Sequence, residues 1–260
     1  MDCREITVFK TSEKYQRHPW ELARVEILFS LIREHISSQS TILDIGCGDG
    51  YFLERVSGFL PDTKLIGVDI KLDEGTKEYF KQNPRVSLYR SFEDMLGDGK
   101  IVKASIDAVL LLDVLEHVED EVSMLEGIVK SKAVNDKAVF LITGPAFPAL
   151  FSLHDQWLGH CRRYTVKQLS DTIEKSGLRV VESGYIFPSI LIFRAIEVFF
   201  EKLGLVFQKE KKGIGGWAGN DFINKVYKNT LVGEYKLTAF LRKIGLKLPG
   251  LSCYAICCNK

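Results

Sequence analysis

The sequence predicts an α/β protein built on a doubly wound, mostly parallel sheet of seven strands. Apolar runs of strand length recur along the chain, and helical stretches separate most of them. The early runs are continuous in Val, Ile and Leu, which is typical of strands whose two faces are both covered by helices. Strands that alternate with helices pair in parallel through crossover connections. The predicted strands cover residues 41–46, 64–70, 86–89, 106–113, 138–143, 179–187 and 251–258.

Two segments lie outside this alternation. Residues 1–40 precede the first strand and are predicted to form an N-terminal helical extension of the main domain, which covers residues 41–260. Residues 188–250 separate the last two strands by far more than a hairpin needs. Because connections of that length usually carry a function, this segment is predicted to be a helical, lid-like insertion before the last strand.

The composition narrows the functional classes. The chain has 260 residues, with 35 basic and 34 acidic side chains and a formal net charge of +1. That balance argues against a broad basic surface, so no nucleic-acid partner is expected. The charged amino terminus lacks the apolar stretch of a signal peptide, and the six cysteines show neither a CxxC pair nor zinc spacing. These features predict a cytoplasmic location with reduced thiols, and no spacing predicts a metal site.

The segment "DIGCGDG" (44–50) lies at the end of the first predicted strand. In an open α/β sheet, ligands bind beyond the carboxyl ends of the strands, so this loop is the natural cofactor site. The glycines are spaced GxGxG rather than the GxGxxG of dinucleotide-binding proteins. Asp49 would also repel a pyrophosphate. Both mismatches argue against a dinucleotide.

A nucleoside with a zwitterionic tail fits the same loop better. Its ammonium group would favour nearby carboxylates. Asp69 ends the second predicted strand, 23 residues after Gly46, close to the spacing at which an acidic residue reaches ribose hydroxyls. S-adenosylmethionine is therefore the predicted cofactor.

Three motifs in order resemble one family. "ILDIGCGDGYF" (42–52), "LIGVDI" (65–70) and "IDAVLLLDVLEHVED" (106–120) resemble the successive motifs of class I S-adenosylmethionine-dependent methyltransferases. "DVLEHVED" is similar to the branch that contains ubiquinone-biosynthesis and related small-molecule methyltransferases. The resemblance covers residues 41–187. It implies a Rossmann-like sheet and methyl transfer that leaves S-adenosylhomocysteine.

The resemblance also implies roles for individual residues near the methionine part of the cofactor. Asp44 would anchor the glycine loop and favour the ammonium group, and Arg24, in "HPWELAR" (18–24), would reach the carboxylate. The residues implied to border the methionine and sulfonium are Gly46, Cys47, Gly48, Gly50, Asp113 and Val114. Alongside this contact, Asp113 could also cap a helix over "VLEHVEDEVSMLEGIV" (114–129).

Other residues are implied to hold the nucleoside. Asp69 would accept from both ribose hydroxyls, with Ile70 against the adenine. After the third strand the family usually has an acidic residue near the adenine amino group. This sequence has Ser91 in that place, with Phe92 beside the ring, which is a departure from the family pattern.

The segment 144–165, "GPAFPALFSLHDQWLGHCRRYT", follows the fifth strand and concentrates the candidate catalytic groups. A hydroxyl acceptor needs a base, and His154 and His160 are the predicted ones. Arg163 and Tyr164 are predicted to contact the acceptor, because "GHCRRYT" resembles a segment of small-molecule and cell-surface-sugar methyltransferases. Alternatively, His160 could bind backbone and this stretch could be a solvated turn.

The segment 189–207, "SILIFRAIEVFFEKLGLVF", predicts an amphipathic helix. Arg194, Glu197, Glu201 and Lys202 are spaced to form one narrow polar stripe, which leaves a wide apolar face. Such a helix could be a lid over the acceptor, a dimer surface or an interfacial membrane element. Residues 189–220 are thus predicted to allow peripheral membrane contact, and the oligomeric state stays open.

Together these observations predict an enzyme that moves a methyl group from S-adenosylmethionine to a small-molecule or lipid-linked acceptor, on oxygen rather than nitrogen. Two alternatives remain at this point. One is an NAD-dependent oxidoreductase on the same sheet architecture, and the other is a non-catalytic protein that binds S-adenosylmethionine.

Overall fold

The computed structural model describes residues 17–205, 217 and 219–260. It confirms the α/β fold with a seven-stranded, mostly parallel, Rossmann-like sheet. Strand order is β3-β2-β1-β4-β5-β7-β6, and β7 alone runs antiparallel to its two neighbours. The strands are β1 (Thr41–Ile45), β2 (Lys64–Val68), β3 (Val86–Tyr89), β4 (Ile106–Leu112), β5 (Val134–Pro145), β6 (Leu178–Ile186) and β7 (Ser252–Asn259).

Helices cover both faces of the sheet, and each face has its own apolar core. The described helices are α1 (Pro19–Ile32), α2 (Tyr51–Phe59), α3 (Glu74–Phe80), α4 (Phe92–Gly97), α5 (Glu121–Val129), α6 (Leu153–Leu158), α7 (Val166–Lys175), α8 (Pro188–Lys202) and α9 (Asp221–Lys243). Short 3₁₀ turns follow β4 at Leu115–His117 and β5 at Pro148–Leu150. Both turns lie at the carboxyl ends of their strands, which is the edge of the sheet where a ligand is expected.

The helix predicted over 114–129 begins later in the structure. Asp120 is the N-cap of α5, and its carboxylate accepts the Ser123 backbone N–H at 3.0 Å. Asp113 is therefore not the cap of that helix, and the capping role considered for it is wrong. The residues between them form the 3₁₀ turn, which leaves Asp113 available at the end of β4.

Helices α1 and α9 pack against one another on one face of the sheet. Apolar side chains of both helices, including Leu28 and Leu231, are buried in the same core. At the surface, the Lys228 ammonium lies 2.7 Å from the Glu26 carboxylate. We propose that α1 belongs to the N-terminal extension and that α8 and α9 belong to the insertion predicted over residues 188–250.

Three of the four residues in the polar stripe of helix α8 bind groups elsewhere in the protein. Arg194 donates to the Ser152 hydroxyl, Glu201 accepts the Leu153 N–H at 2.8 Å, and Lys202 donates to the Ala149 carbonyl at 2.7 Å. The opposite face is apolar and solvent-exposed, through Ile192, Phe193, Ile196, Phe199, Phe200 and Leu203. A helix of this orientation presents its apolar side outward.

The predicted membrane-contact segment is only partly described. Residues 206–216 and 218 lie outside the described residues. Trp217 packs its ring against His18 and Tyr227, and its indole N–H donates to Asn224 at 2.6 Å. Among the described helices, none is both long and apolar enough to cross a bilayer.

Candidate functional site

The glycine loop lies where the strand order reverses. β1 pairs with β2 on one side and with β4 on the other, so the crevice beyond their carboxyl ends is the expected ligand position. The loop leaves β1 at Gly46, whose N–H donates to the Val68 carbonyl at 2.7 Å, and enters α2 after Gly50. Sequence spacing therefore located the loop correctly.

Gly46, Gly48 and Gly50 all have positive φ, at 76°, 56° and 76°. That region favours glycine because a side chain would crowd the backbone. At Gly46 a Cβ would lie 2.5 Å from Cγ2 of Val114, so the loop passes directly against the end of β4. Val114 and Gly46 are thus brought together, as predicted, although their contact with the cofactor stays a prediction.

Gly46→Ala should abolish detectable binding of S-adenosylmethionine in calorimetry. The added methyl group would strain a positive-φ residue and push the loop away from Val114. Gly177→Ala is the matched control, since Gly177 also has positive φ, at 95°, with open space around its Cβ position. If both variants bind the cofactor equally well while folded, the loop is not the cradle.

A cleft opens beside the loop. Its walls include Arg24, Asp44, Gly46, Cys47 and Leu112. The Asp44 residue is 1% exposed, and its buried Oδ1 has no hydrogen-bond partner among the described residues. Burial raises the pKa of Asp44 to about 7, against the opposing charge of Arg24. An unsatisfied buried acceptor fits the ammonium group of S-adenosylmethionine, which would supply the missing donor.

Arg24 lies across the cleft and pairs with Asp113. Its guanidinium is 2.7 Å from the Asp113 carboxylate and 3.4 Å from the Thr143 hydroxyl, and Thr143 donates to Asp113 at 2.8 Å. Burial acts to raise the pKa of Asp113, but the charge of Arg24 and the hydrogen bond from Thr143 outweigh it and hold the pKa below its usual value. The Arg24 Nε is buried without a partner among the described residues. The pairing places a guanidinium and a carboxylate side by side, which suits a zwitterionic amino acid.

The carboxylate inside the loop has a local role. Asp49 accepts the Tyr51 backbone N–H at 3.0 Å and forms an ion pair with Arg17. Asp49 thus braces the turn into α2 and neutralises a basic residue of the N-terminal segment. No periodicity in the sequence relates Arg17 to Asp49, so this contact was not predicted.

The predicted nucleoside residues lie along the carboxyl ends of β2 and β3. Asp69 accepts the Gly48 N–H and the Lys71 N–H, each at 2.8 Å, so it also tethers the glycine loop. Ile70 is 82% exposed, an unusual position for an apolar side chain. Ser91 caps α4 by accepting the Asp94 N–H at 2.9 Å, and Phe92 is the first residue of that helix. Their contacts with ribose and adenine stay predictions.

The segment after β5, residues 144–165, where an acceptor is predicted to bind, contains a carboxylate–imidazole pair; this side of the protein is called the acceptor edge below. Nδ1 of His160 lies 2.9 Å from Oδ1 of Asp155, which also receives Nε of Arg163 at 2.7 Å. Burial would raise the pKa of Asp155, but the bond from His160 and the charge of Arg163 hold it well below its usual range. Since Asp155 is ionised, it accepts the Nδ1 proton, so the neutral form of the ring would have its lone pair on Nε2.

The other predicted residues of this region are placed differently. Arg163 is 7% exposed, and it also donates to the Ala146 carbonyl at 3.1 Å, so it positions Asp155. Tyr164 is 2% exposed and donates its hydroxyl to Glu121 at 3.2 Å. His154 stacks on Trp157 in α6, with 5.9 Å between ring centroids. In this structure Arg163 and Tyr164 face protein groups, and their contact with an acceptor stays a prediction.

Sequence reasoning assigned no role to Thr143 or Glu116. Glu116 is 1% exposed, and burial together with the nearby charge of Asp113 raises its pKa well above the usual value. Its neighbour His117 contacts His160, with 4.8 Å between ring centroids. Glu116 and His160 are far apart in the chain, and only the fold joins them, so no spacing could have found the pair.

Comparison with known proteins identifies the family. A family model described as a methyltransferase domain matches residues 15–183. No curated protein matches the sequence.

Three solved structures illustrate the shared fold. A putative sarcosine dimethylglycine methyltransferase from Galdieria sulphuraria has 15% identity and a TM-score of 0.57, over 91% of this chain and 85% of that one. A methyltransferase from Archaeoglobus fulgidus that depends on S-adenosylmethionine has 20% identity and a TM-score of 0.51, over 92% and 97%.

The third is phosphoethanolamine N-methyltransferase 2 from Haemonchus contortus, in complex with S-adenosylmethionine, with 16% identity and a TM-score of 0.53. It is matched over 90% of this chain but 52% of its own, so this chain spans about half its length. Identities this low show the fold alone. The family match decides against the oxidoreductase and the non-catalytic alternative. The chain belongs to the methyltransferase-domain family and is an S-adenosylmethionine-dependent methyltransferase.

Proposed function

We propose that the protein methylates a hydroxyl oxygen of a small or lipid-linked acceptor. The observation that carries this proposal is the Asp155–His160 pair at the acceptor edge. A hydroxyl must lose its proton as the oxygen takes the methyl group, whereas a neutral amine can attack first and lose its proton later. An imidazole held by a buried carboxylate is suited to accept that proton.

The position of His160 supports this role. The His160 imidazole lies near Asp113: when protonated, the ring would help to hold the pKa of the Asp113 carboxylate below its usual value. Asp113 ends β4 directly beside the glycine loop, where the methionine part of the cofactor is proposed to lie. The candidate base and the methyl group would thus approach the acceptor from the same edge of the sheet.

The proposed mechanism assigns most residues to binding and orientation. S-adenosylmethionine supplies an electrophilic methyl group on its sulfonium. Asp44 and Arg24 hold the ammonium and carboxylate of the amino acid, and Asp69 holds the ribose hydroxyls. His160 draws the proton from the acceptor hydroxyl while Asp155 stabilises the imidazolium. Alignment of the oxygen, the methyl carbon and the sulfur then supplies most of the acceleration.

His160→Asn should lower kcat by about 10²–10⁴-fold and leave S-adenosylmethionine affinity nearly unchanged, since it removes proton transfer without touching the cleft. His35→Asn, at an exposed position, is the matched control and should behave like the wild type. Both quantities are measured by steady-state kinetics and calorimetry. Equal rates for the two variants would exclude His160 as the base.

Acceptor class is tested with a matched screen. We propose phenolic and catecholic hydroxyl acceptors, with and without an isoprenoid chain, because the "DVLEHVED" segment is similar to the ubiquinone-biosynthesis branch. Amine acceptors of equal size form the comparison set, since one structural neighbour is an N-methyltransferase. Transfer to amines alone would overturn the assignment to oxygen.

We also propose that the outward apolar face of α8 binds a lipid surface and brings a lipid-linked acceptor to the site. Phe193 and Phe199 on that face are 72% and 59% exposed. On α9, Phe222 and Phe240 are 75% and 60% exposed. Exposed lysines in α9 and in the segment after it would attract the anionic headgroups of a lipid surface. An amphipathic helix with these properties fits an interfacial position.

Serine at both Phe193 and Phe199 should weaken binding to mixed phosphatidylcholine and phosphatidylserine vesicles, because it removes apolar area from the proposed contact. Co-sedimentation measures the loss. The control replaces Leu96 and Val102, which are 45% and 65% exposed in another part of the chain, with serine. Should the helix be a lid instead, vesicle binding would be absent in the wild type and turnover alone would fall.

A further inference from the structure

The 3₁₀ turn after β4 and the loop after α6 bring three metal-binding side chains together. Glu116, His117 and His160 each offer a ligand atom, and these atoms lie within 4.8 Å of one another. We propose that the three side chains bind one divalent transition-metal ion at the acceptor edge. The sequence predicts no metal site, because the residues become neighbours only in the folded chain.

The first argument is the state of Glu116. Its side chain lies in the protein interior, with 1% of the residue exposed, yet Oε2 has no hydrogen-bond partner among the described residues. A buried carboxylate oxygen without a donor is costly. A cation held between Glu116 and the two imidazoles would satisfy it.

The second argument is the orientation of both imidazole rings. Nδ1 of His160 lies 2.9 Å from the Asp155 carboxylate, and Nδ1 of His117 lies 3.3 Å from the Gly159 carbonyl. A carboxylate and a carbonyl can only accept, so in the neutral form of each ring Nδ1 carries the proton and Nε2 offers the lone pair. Metal-binding histidines are usually fixed in this way, by a carboxylate or carbonyl on the other ring nitrogen.

The third argument is that hydrogen bonds and an ion pair fix the loop after α6 against the segment between β4 and α5. The Cys161 N–H donates to the Glu116 carbonyl at 2.6 Å, and Arg162 donates to the Glu119 carbonyl at 3.0 Å. Arg162 also forms an ion pair with Glu121. The backbone that carries His160 is therefore fixed against the backbone that carries the other two ligands, which prepares the cluster for an ion.

The ligand set indicates the kind of ion. Two imidazole nitrogens and one carboxylate favour Zn²⁺ and its first-row neighbours over Mg²⁺ or Ca²⁺, which prefer oxygen. Bonds of about 2.0–2.2 Å place ligand atoms roughly 3–3.5 Å apart. Small side-chain rotations would close the cluster to that size. His117 is exposed, so the ion can enter from solvent.

Three protein ligands leave a coordination position open, as in catalytic zinc sites. The use of that position rests on the proposed oxygen acceptor, whereas ion binding does not. The acceptor hydroxyl would coordinate the ion and release its proton to solvent. The oxygen then bonds to the methyl carbon as the carbon–sulfur bond breaks, which yields a methyl ether and S-adenosylhomocysteine. While the ion is bound, Nε2 of His160 is a ligand, so His160 would accept the acceptor proton directly only in the metal-free protein.

The test measures binding of the metal alone. Protein freed of metal with a chelator is titrated with Zn²⁺ in calorimetry and with Co²⁺ in visible absorption, whose d–d bands report a site of low coordination number. We expect one ion per chain. Glu116→Gln and His160→Asn should each weaken binding by more than about 100-fold. Absence of stoichiometric binding of either ion to the wild-type protein would overturn the proposal.

Control variants show whether a loss of metal binding is specific to the proposed metal site or follows from removing any surface carboxylate or imidazole. Glu126→Gln, at a surface residue of α5 that pairs with Lys130, and His35→Asn repeat the same chemical changes elsewhere. Both should bind the ion like the wild type. Equal losses in the control and cluster variants would place the ion elsewhere and also overturn the proposal. Circular dichroism confirms folding of each variant.

A final comparison distinguishes this proposal from the proposed function. If the wild type binds one ion but methylates only amines, the oxygen acceptor is wrong and the metal site stands. If hydroxyl methylation is found and is unaffected by chelation, with no ion bound, His160 acts as a direct base and the metal site is wrong. S-adenosylmethionine affinity, measured in parallel, should not change when the metal is removed.

Discussion

Arg24→Met should lower the free energy of unfolding by about 3–5 kcal/mol, because it leaves the Asp113 carboxylate without its cation. The two charged groups are 2.7 Å apart, and their side chains are only 7% and 20% exposed. Methionine retains much of the side-chain volume, so the loss reflects charge more than packing. Urea unfolding near neutral pH measures the difference.

A second substitution shows whether the unpaired charge is the cause. Asp113→Asn added to Arg24→Met should restore at least half of the lost stability, since it removes the charge that Arg24 neutralised. Arg33→Met, at the exposed C-cap of the same helix, should change stability by less than about 0.5 kcal/mol. A double variant no more stable than Arg24→Met would contradict the explanation.

The pH dependence of the Arg24→Met variant follows from the same pair. In the wild type the pKa of Asp113 lies below its usual value, so the pair stabilises the fold at neutral pH and is lost only at strongly acid pH. Without Arg24, burial should raise that pKa. The deficit of the variant should then shrink as pH falls, because protonation neutralises the stranded carboxyl.

Asp44→Asn should stabilise the cofactor-free protein at about pH 8 while weakening S-adenosylmethionine binding by about 10–100-fold. Burial raises the pKa of Asp44 from 3.8 to about 7. The folded state thus binds more protons than the unfolded state between these values, and stability falls as pH rises through the interval. The charged form costs at most about 4 kcal/mol, which asparagine does not incur.

The same substitution should remove a pH dependence of binding. An ammonium group beside Asp44 favours its ionised form, so binding releases a proton, and affinity should rise between about pH 5.5 and 7.5. Calorimetry in two buffers of different ionisation enthalpy measures the released proton. Asp62→Asn, at an exposed turn, is the control. If Asp44→Asn neither stabilises the protein nor changes the pH profile, Asp44 does not carry the proposed charge.

Local sequence patterns were sufficient to predict where the strands lie in the chain. Each of the seven apolar runs forms a strand. In β1, β2 and β4, burial of nearly every residue on both faces leaves an apolar run that can be recognised without knowing the neighbouring strands. The antiparallel placement of β7 between β5 and β6 carries no such signal. It depends on which edge of the sheet is open when residues 252–259 are added, which is a property of the whole fold.

The candidate site likewise contains features that local sequence predicts and features that only the fold determines. The glycine loop and Asp69 were found by spacing along the chain, since a turn and a strand end are local features. The pairings of Arg24 with Asp113 and of Glu116 with His160 depend on tertiary contacts between distant segments. Spacing also failed for α8, where the polar stripe was identified correctly but its inward direction was not. The inward direction follows from partners at Ser152, Leu153 and Ala149.

The position of β7 has a consequence for synthesis on the ribosome. β6 joins the sheet only through β7, which follows it after α8 and α9. Translation at 5–20 residues per second delays the arrival of Asn259 after Ile186 by roughly 4–15 s. During that interval β5 exposes an unpaired edge, and edges of this kind promote aggregation. Slower translation of residues 187–259 should therefore increase the share of nascent chains that require chaperones.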